Sequence, residues 1–390
     1  MAAAWRTPHR LIVWGSVAAA AAVLVTALVA WPDQDNKQQR VASGGHAPTT
    51  QSGNVAPLGT VDPVDTTPTT SRVLAHTPTS RASSATTAPV RATTPVPTPS
   101  APHITEFPLP HAPSYPNAIA TGPDGNLWFA ESFTGKVGRI TPSGAVTEFP
   151  QPNGAAGANG MAAGPDANLW FTEVDSAGDG KIARMTPSGV ITEFKVPTPN
   201  PALRDITRGP DGNLWFTEGA GKIGRISPAG GIIEYPITGP SDIHTITAGP
   251  DGNLWSTDTE MSRIGRITTG GVFLPFYTAP NSVPVAIAKG PDGNVWFTDL
   301  QGKIGRMTPG GVVAEFPADG GPDAITSGPD GNLWFANGNN NAVGRITPAG
   351  VIAEYPVPTA GQNASITTGP DGNVWFTELS AGKVGRVDLR

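Results

Sequence analysis

The stretch Ile119-Ala120-Thr121-Gly122-Pro123-Asp124-Gly125-Asn126-Leu127-Trp128-Phe129-Ala130-Glu131 opens a repeat, and reading that repeat decides the fold. It continues through Gly135-Lys136-Val137-Gly138-Arg139-Ile140-Thr141-Pro142-Ser143-Gly144 and closes on Val146-Thr147-Glu148-Phe149-Pro150. Seven copies follow one another, marked by Trp128, Trp170, Trp215, Trp255, Trp296, Trp334 and Trp375 at spacings of 38–45 residues. In the first copy, β-like runs at 118–121, 126–131, 136–141 and 146–149 are separated by Gly-Pro-Asp-Gly and Thr-Pro-Ser-Gly turns. Proline presets φ at the second turn position, and glycine at the fourth accepts the left-handed backbone of a tight hairpin. Four antiparallel strands per unit of about 40 residues predict an all-β, seven-bladed β-propeller.

The ends of the array say how the ring closes. The last copy stops after its third strand, at 383–388, whereas a lone outer-strand sequence, Ile104-Thr105-Glu106-Phe107-Pro108, precedes the first copy. That strand is expected to complete the seventh blade, making 103–390 one propeller. An open solenoid would need capping repeats instead, and the sequence has none.

Upstream the composition changes. Of residues 32–102, 32 are Pro, Thr or Ser and none is aromatic, so this stretch reads as a disordered linker. Leu11 to Trp31 are 21 consecutive residues without a charge, enough for about one bilayer crossing as a transmembrane helix. Arg6 and Arg10 precede the segment and Asp33 and Asp35 follow it. The bias predicts a signal anchor over 1–31, single-pass in the cell membrane, with the propeller outside. The competing reading is a cleaved signal peptide and a secreted propeller.

Composition also excludes. The 48 Gly and 42 Pro among 390 residues argue against a mostly helical protein, and the absence of Cys rules out disulfides, thiolate zinc sites and thiol nucleophiles. Residues 1–102 carry seven Lys/Arg against four Asp/Glu, leaving 18 against 27 beyond them. An acidic domain without a basic stripe argues against a nucleic-acid partner.

Most of the repeat is scaffold. Each third strand carries an Arg (Arg139 in the first copy), and the second strands end in Glu131, Glu173, Glu218, Asp258, Asp299, Asn337 and Glu378. Acid and Arg recurring once per blade read as a repeated ion pair or hydrogen bond. Strand parity puts the residues before each first strand and the loop after each second strand on one face, the top. There the residue two before the first-strand Ile (Met161 in the second copy) changes from blade to blade: Asn117, Asn159, Arg204, His244, Val285, Asp323 and Ala364. Variable side chains on a rigid scaffold are where binding resides. Asn117, Asn159, Arg204 and Asp323 are therefore candidate ligand contacts. His244 has Asp242, Asp258 and Glu260 close in sequence. An imidazole among carboxylates suits a general base beside a divalent cation, with His244 and Glu260 expected on exposed loops.

The segments 122–131, 221–228 and 146–150 closely resemble the virginiamycin B lyase (streptogramin B lyase) family, and the resemblance runs over 103–390. It implies a Mg2+-dependent propeller that opens the ester of a cyclic depsipeptide by elimination. The family's Glu-Pro-His before the last blade falls on Gln362-Asn363-Ala364, its following Glu on Leu379-Ser380, and its second His on Asp323. Asp242-Ile243-His244, three blades earlier, repeats the acid-x-His pattern. Three function classes follow: a binding propeller for a small molecule, glycan or cell-envelope protein; a lyase centred on His244 with Mg2+; and a sensory ectodomain. The propeller is expected to be monomeric.

Anchoring is tested by fractionating cells and treating intact ones with protease. The propeller should stay with membranes and be shaved from outside; recovery in the medium with a new N-terminus near residue 31 would establish cleavage.

Overall fold

The computed structural model describes residues 101–389, apart from 112, 153–157, 176, 177 and 280. The expected anchor and nearly all of the expected linker lie outside the described residues. Among those described, no helix is long and apolar enough to cross a membrane.

Seven four-stranded antiparallel sheets form the structure, six of them each built from neighbours in sequence. Blade 1 comprises Pro116–Thr121, Leu127–Glu131, Lys136–Ile140 and Val146–Pro150, within two residues of the expected runs. Every innermost strand contacts those of the blades on either side, including Pro116–Thr121 against Asn363–Thr368, so the ring closes. The seventh sheet takes its outer strand from the N-terminal side. His103–Pro108 pairs antiparallel with Lys383–Asp388, placing Phe107 opposite Val384.

The two faces of a blade differ because side chains alternate along a strand. Trp128 lies opposite Arg139, and Phe129 opposite Gly138. On the Trp face, the Arg139 guanidinium sits 5.5 Å from the Trp128 ring and 5.6 Å from Phe149. Its Nη1 donates to the Pro187 carbonyl of blade 2 at 3.2 Å. Arg184, Arg225, Arg266, Arg306 and Arg386 make the equivalent bond to Pro228, Thr269, Pro309, Pro348 and Pro142, the last joining blade 7 to blade 1. On the Phe face, a Cβ on Gly138 would come within 2.0 Å of the Phe129 ring, so only glycine fits there. The core is these two faces pressed together: Trp128 packs with Phe171 of blade 2, and Trp375 with Phe129 of blade 1.

This alternation corrects one expectation. The strand-end acid does not pair with the third-strand Arg, because Glu131 and Arg139 lie on opposite faces. Glu131 stands across from Lys136, whereas Arg139 reaches Asp124 of the turn at 3.7 Å. Asp124 also accepts Trp128 Nε1 at 2.9 Å and Asn126 Nδ2 at 2.8 Å. Burial alone would raise its pKa, but these donors hold it below the usual carboxylate range.

Blade 4 departs from the pattern. Its outer strand shrinks to Tyr277–Thr278, as Pro275 in the approach has no N–H to give a ladder.

Deleting Ile104–Pro108 should remove the Phe107–Trp375 stack (5.3 Å), the Lys383–Glu106 ion pair (2.7 Å) and one strand ladder. A loss of several kcal/mol, at about 2–4 °C per kcal/mol, should lower Tm by roughly 10 °C or more. Unchanged Tm on scanning calorimetry would disprove this closure.

Candidate functional site

The segments before the first strands and the loops after the second strands meet at one edge of the ring. The amides of Ser132, Gly219, Thr259 and Leu379 donate to the carbonyls of Tyr115, Ala202, Asp242 and Gln362. At this edge five inner strands carry a bulge. In blade 3 Leu203 pairs with Glu218 and Ile206 with Phe216, so Arg204 and Asp205 together face Thr217. A bulge of this kind re-aims side chains.

In blade 3 the threonine of the Trp-Phe-Thr segment fixes the bulge. Thr217 Oγ1 accepts the Asp205 amide and donates to the His244 carbonyl of blade 4, both at 3.0 Å. Thr172 holds the Gly160 amide and the Arg204 carbonyl in the same way, and Thr377 the Ser365 amide and the Asn117 carbonyl. Four ring residues, Asn117, Arg204, His244 and Val285, are therefore each hung by the carbonyl on a threonine hydroxyl of the preceding blade.

Three candidate residues come together between blades 3 and 4. Arg204 grips Asp242 through Nε (3.1 Å) and Nη2 (2.8 and 3.0 Å). Gly219 makes room, since a Cβ there would lie 3.0 Å from Asp242 Oδ1 and 3.1 Å from Arg204 Nε. His244 stands beside this pair. It belongs to the inner strand Ile243–Ala248, not to an exposed loop, and its Nδ1 is buried without a hydrogen-bond partner. Burial first, then the Arg204 charge, pushes the imidazole pKa down to about 4, so the ring is neutral at pH 7.

The carboxylates do not gather around it. Asp258 is fully buried and turned to the scaffold, accepting Ser241 Oγ (2.9 Å), the Asp242 amide (3.2 Å) and Arg263 Nε (2.8 Å). Asp242 is committed to Arg204 and also accepts Thr259 Oγ1 at 3.1 Å. Glu260 is exposed on the loop beyond, as expected. Among the described residues no three His, Asp or Glu side chains lie together as metal ligands. This donor set does not fit Mg2+.

The remaining ring residues are placed around the same edge. Asn117 Nδ2 lies 3.5 Å from Asn159 Oδ1, and Asn159 donates to the Leu203 carbonyl at 2.9 Å. Asp323 stands apart in blade 6; burial pushes its pKa to about 6 against one backbone donor, Gly338. In blade 7 the Gln362 amide donates to Ser380 Oγ at 3.1 Å, and the Asn363 amide group donates to the Ala342 carbonyl at 3.1 Å. Of the positions that the family resemblance singles out, Gln362 and Ser380 are in contact, Asp323 alone carries an acid, and none carries an imidazole.

One residue escaped the sequence reading. Asp205 follows Arg204 and accepts the amides of Ile206 (2.8 Å) and Ile246 (3.0 Å), and burial raises its pKa to about 6. The signal was present: the other blades place only Ala118, Gly160, Thr245, Ala286, Ala324 and Ser365 here, all small.

A profile of the virginiamycin B lyase family matches residues 98–251 and 206–390. A solved streptogramin B lyase is 33% identical, with TM-score 0.68, covering 74% of this chain and 98% of that one. Selenomethionine-substituted virginiamycin B lyase from Staphylococcus aureus is 34% identical, with TM-score 0.67 and coverage of 74% and 99%. A catalytically inactive histidine-to-alanine variant from the same organism, solved with quinupristin, gives 34%, 0.68 and the same coverage. No curated protein matches. The chain belongs to the virginiamycin B lyase family.

Proposed function

We propose that this chain is a membrane-anchored, extracytoplasmic propeller that binds a small molecule, glycan or cell-envelope protein at the ring edge. The observation that carries this reading is the cluster of Arg204, Asp242 and His244. A desolvated imidazole nitrogen without a partner, beside a bidentate guanidinium–carboxylate pair, is a ready contact for a ligand N–H or O–H. Asn117, Asn159 and Asp323 extend the same edge around the axis.

The second reading is a lyase-like enzyme with its site moved to blade 4, favoured by the neutral His244 with its Nδ1 unpartnered. Two features weigh against it. A pKa near 4 makes a poor base at neutral pH, where the best catalytic base titrates close to the working pH. The carboxylates around His244 are also engaged elsewhere.

Quinupristin, titrated calorimetrically with and without Mg2+, separates the two readings. The expected result is binding without opening of the lactone, weakened about tenfold or more by Arg204→Ala, a loss of about 1.4 kcal/mol. Lactone opening that disappears in His244→Ala would instead establish the lyase. Absence of any binding would remove the streptogramin class and leave glycans and proteins.

A second measurement addresses the imidazole itself. By NMR, His244 should titrate near 4, well below the ordinary value of 6.5. Its folded pKa is depressed, so its contribution to stability is present above about 6.5 and is lost as pH falls towards 4. His244→Gln should remove that acid-side loss; a His244 titrating near 6.5 would overturn the buried placement.

A further inference from the structure

Three residues after its Trp, each second strand carries a polar side chain no more than 1% exposed. In blades 1, 2, 3 and 7 it is a glutamate facing a second glutamate from the outer strand: Glu131 with Glu148, Glu173 with Glu193, Glu218 with Glu234, Glu378 with Glu106. A single lysine serves each pair and is committed to the outer glutamate. The distances are 2.6 Å for Lys136–Glu148, 2.8 Å for Lys181–Glu193, 2.8 Å for Lys222–Glu234 and 2.7 Å for Lys383–Glu106. Both carboxyl oxygens of Glu173, Glu218 and Glu378 lack a hydrogen-bond partner, as does Oε1 of Glu131. Two carboxylates against one ammonium leave an uncompensated negative charge in a buried place, which protein interiors strongly disfavour.

The other three blades show what is missing. In blade 6 the position is Asn337, whose amide donates to Glu354 Oε1 at 3.1 Å. In blade 4 there is no outer-strand acid, and Asp258 takes Arg263 directly. In blade 5 the shorter Asp299 turns one oxygen to the amides of Val283 and Gln301, each at 2.9 Å. Wherever two glutamates face each other, the strand-end carboxyl keeps at least one buried oxygen without a donor.

We propose that blades 1, 2, 3 and 7 each bind one proton between their paired carboxyls, carried by the strand-end glutamate. The seven-bladed edge is then a set of four proton sites, with the amide of Asn337 as a built-in equivalent in a fifth blade. Burial, then the neighbouring carboxylate, raises Glu173 to about 7. Burial and the outer glutamate do the same to Glu218, against Thr198 and Lys222, and to Glu378, against Lys383; both also reach about 7. Burial raises Glu131 as well, against a hydrogen bond from Thr134. The outer partners Glu106 and Glu234 stay ionised: burial opposes this, but Lys383 with Thr359, and Lys222 with Thr198, hold them low. The other ionisable groups facing these pairs are His111, 2.8 Å from Glu148, and Asp175 near Lys181.

The folded state holds these protons more tightly than the unfolded chain does. The stabilisation is therefore full below the unfolded carboxyl value of about 4.5 and is lost as pH rises through about 7. The test is Tm of the full chain between about pH 5 and pH 8.5, beside a variant with Glu131, Glu173, Glu218 and Glu378 all changed to Gln. Glutamine mimics the protonated acid. The wild type should melt at lower temperature as pH rises; the variant should lose that slope and match or exceed the wild type at alkaline pH. The infrared band of protonated buried carboxyls should be present in the wild type near pH 6 and absent from the variant. If the fourfold variant fails to fold, Glu173→Gln alone should remove roughly a quarter of the slope. A wild-type Tm that does not fall with pH, or a variant that keeps the slope, overturns the proposal. So does a wild-type Tm restored at alkaline pH by millimolar Ca2+ but not in the variant, because the pairs would then hold a metal ion.

Discussion

The bond from the third-strand arginine to the next blade's turn is the interaction on which the ring depends. It needs Trp on the same strand face, an aromatic on the outer strand to stack with, and a carbonyl presented by the Thr-Pro-x-Gly turn of the following blade. The outer aromatic does a second job: a Cβ on Gly144 would come 2.4 Å from Phe107, and one on Gly189 2.5 Å from Phe149. Charged hydrogen bonds contribute about 1.5–3 kcal/mol each, and a desolvated cation–π contact up to about 2 kcal/mol. Six such contacts, the last across the closure, tie blades that share no sheet hydrogen bonds. Each repeated residue therefore answers to a neighbour in the next blade, not to its own strand alone.

That dependence explains which parts of the fold could be read from the sequence. Period, turn chemistry and the displaced outer strand at 104–108 are local signals, and each led to the observed element. The partner of Arg139 was not local. Sequence pairs it with Glu131 once per blade, and only the alternation of faces sends it to Asp124 and the next blade. His244 misled for a related reason. Its flanks, Asp242 and Glu260, look like loop, but His244 lies on the bulged inner strand with its Nδ1 buried. Asp205 was visible as a charge where every other blade is small, yet its two amide partners come from separate blades.

The candidate site shows a division of labour within one motif. In Trp-Phe-Thr-Glu, the Trp and Phe supply the two packing faces, the Thr clamps the ring residue of the next blade, and the Glu sits at the edge beside it. Because the clamp acts on backbone amides and carbonyls, it leaves ring side chains free to differ. Asn117, Arg204 and His244 can then stand at equivalent places with no change to the scaffold beneath them. The same freedom accounts for Gln362, Asn363 and Ala364 at the positions where the resemblance implies catalytic groups: nothing in the fold requires an acid or an imidazole there.

Protonation at this edge runs in two opposite senses. His244 is buried next to a cation and sheds its proton; Glu173, Glu218 and Glu378 are buried next to anions and keep theirs. In each case burial sets the direction and a charged neighbour adds to it: Arg204 beside His244, an outer-strand glutamate beside Glu173, Glu218 and Glu378. Acidification therefore strains blade 4 while it relieves blades 1, 2, 3 and 7. Alkaline pH does the reverse. Since Thr217 links the His244 backbone to the strand that ends in Glu218, the two opposed titrations meet across a single hydroxyl between blades 3 and 4. That junction is also where Arg204 and Asp242 lie. The side chains best placed to meet a ligand are thus anchored where a lowered imidazole and a raised carboxyl adjoin.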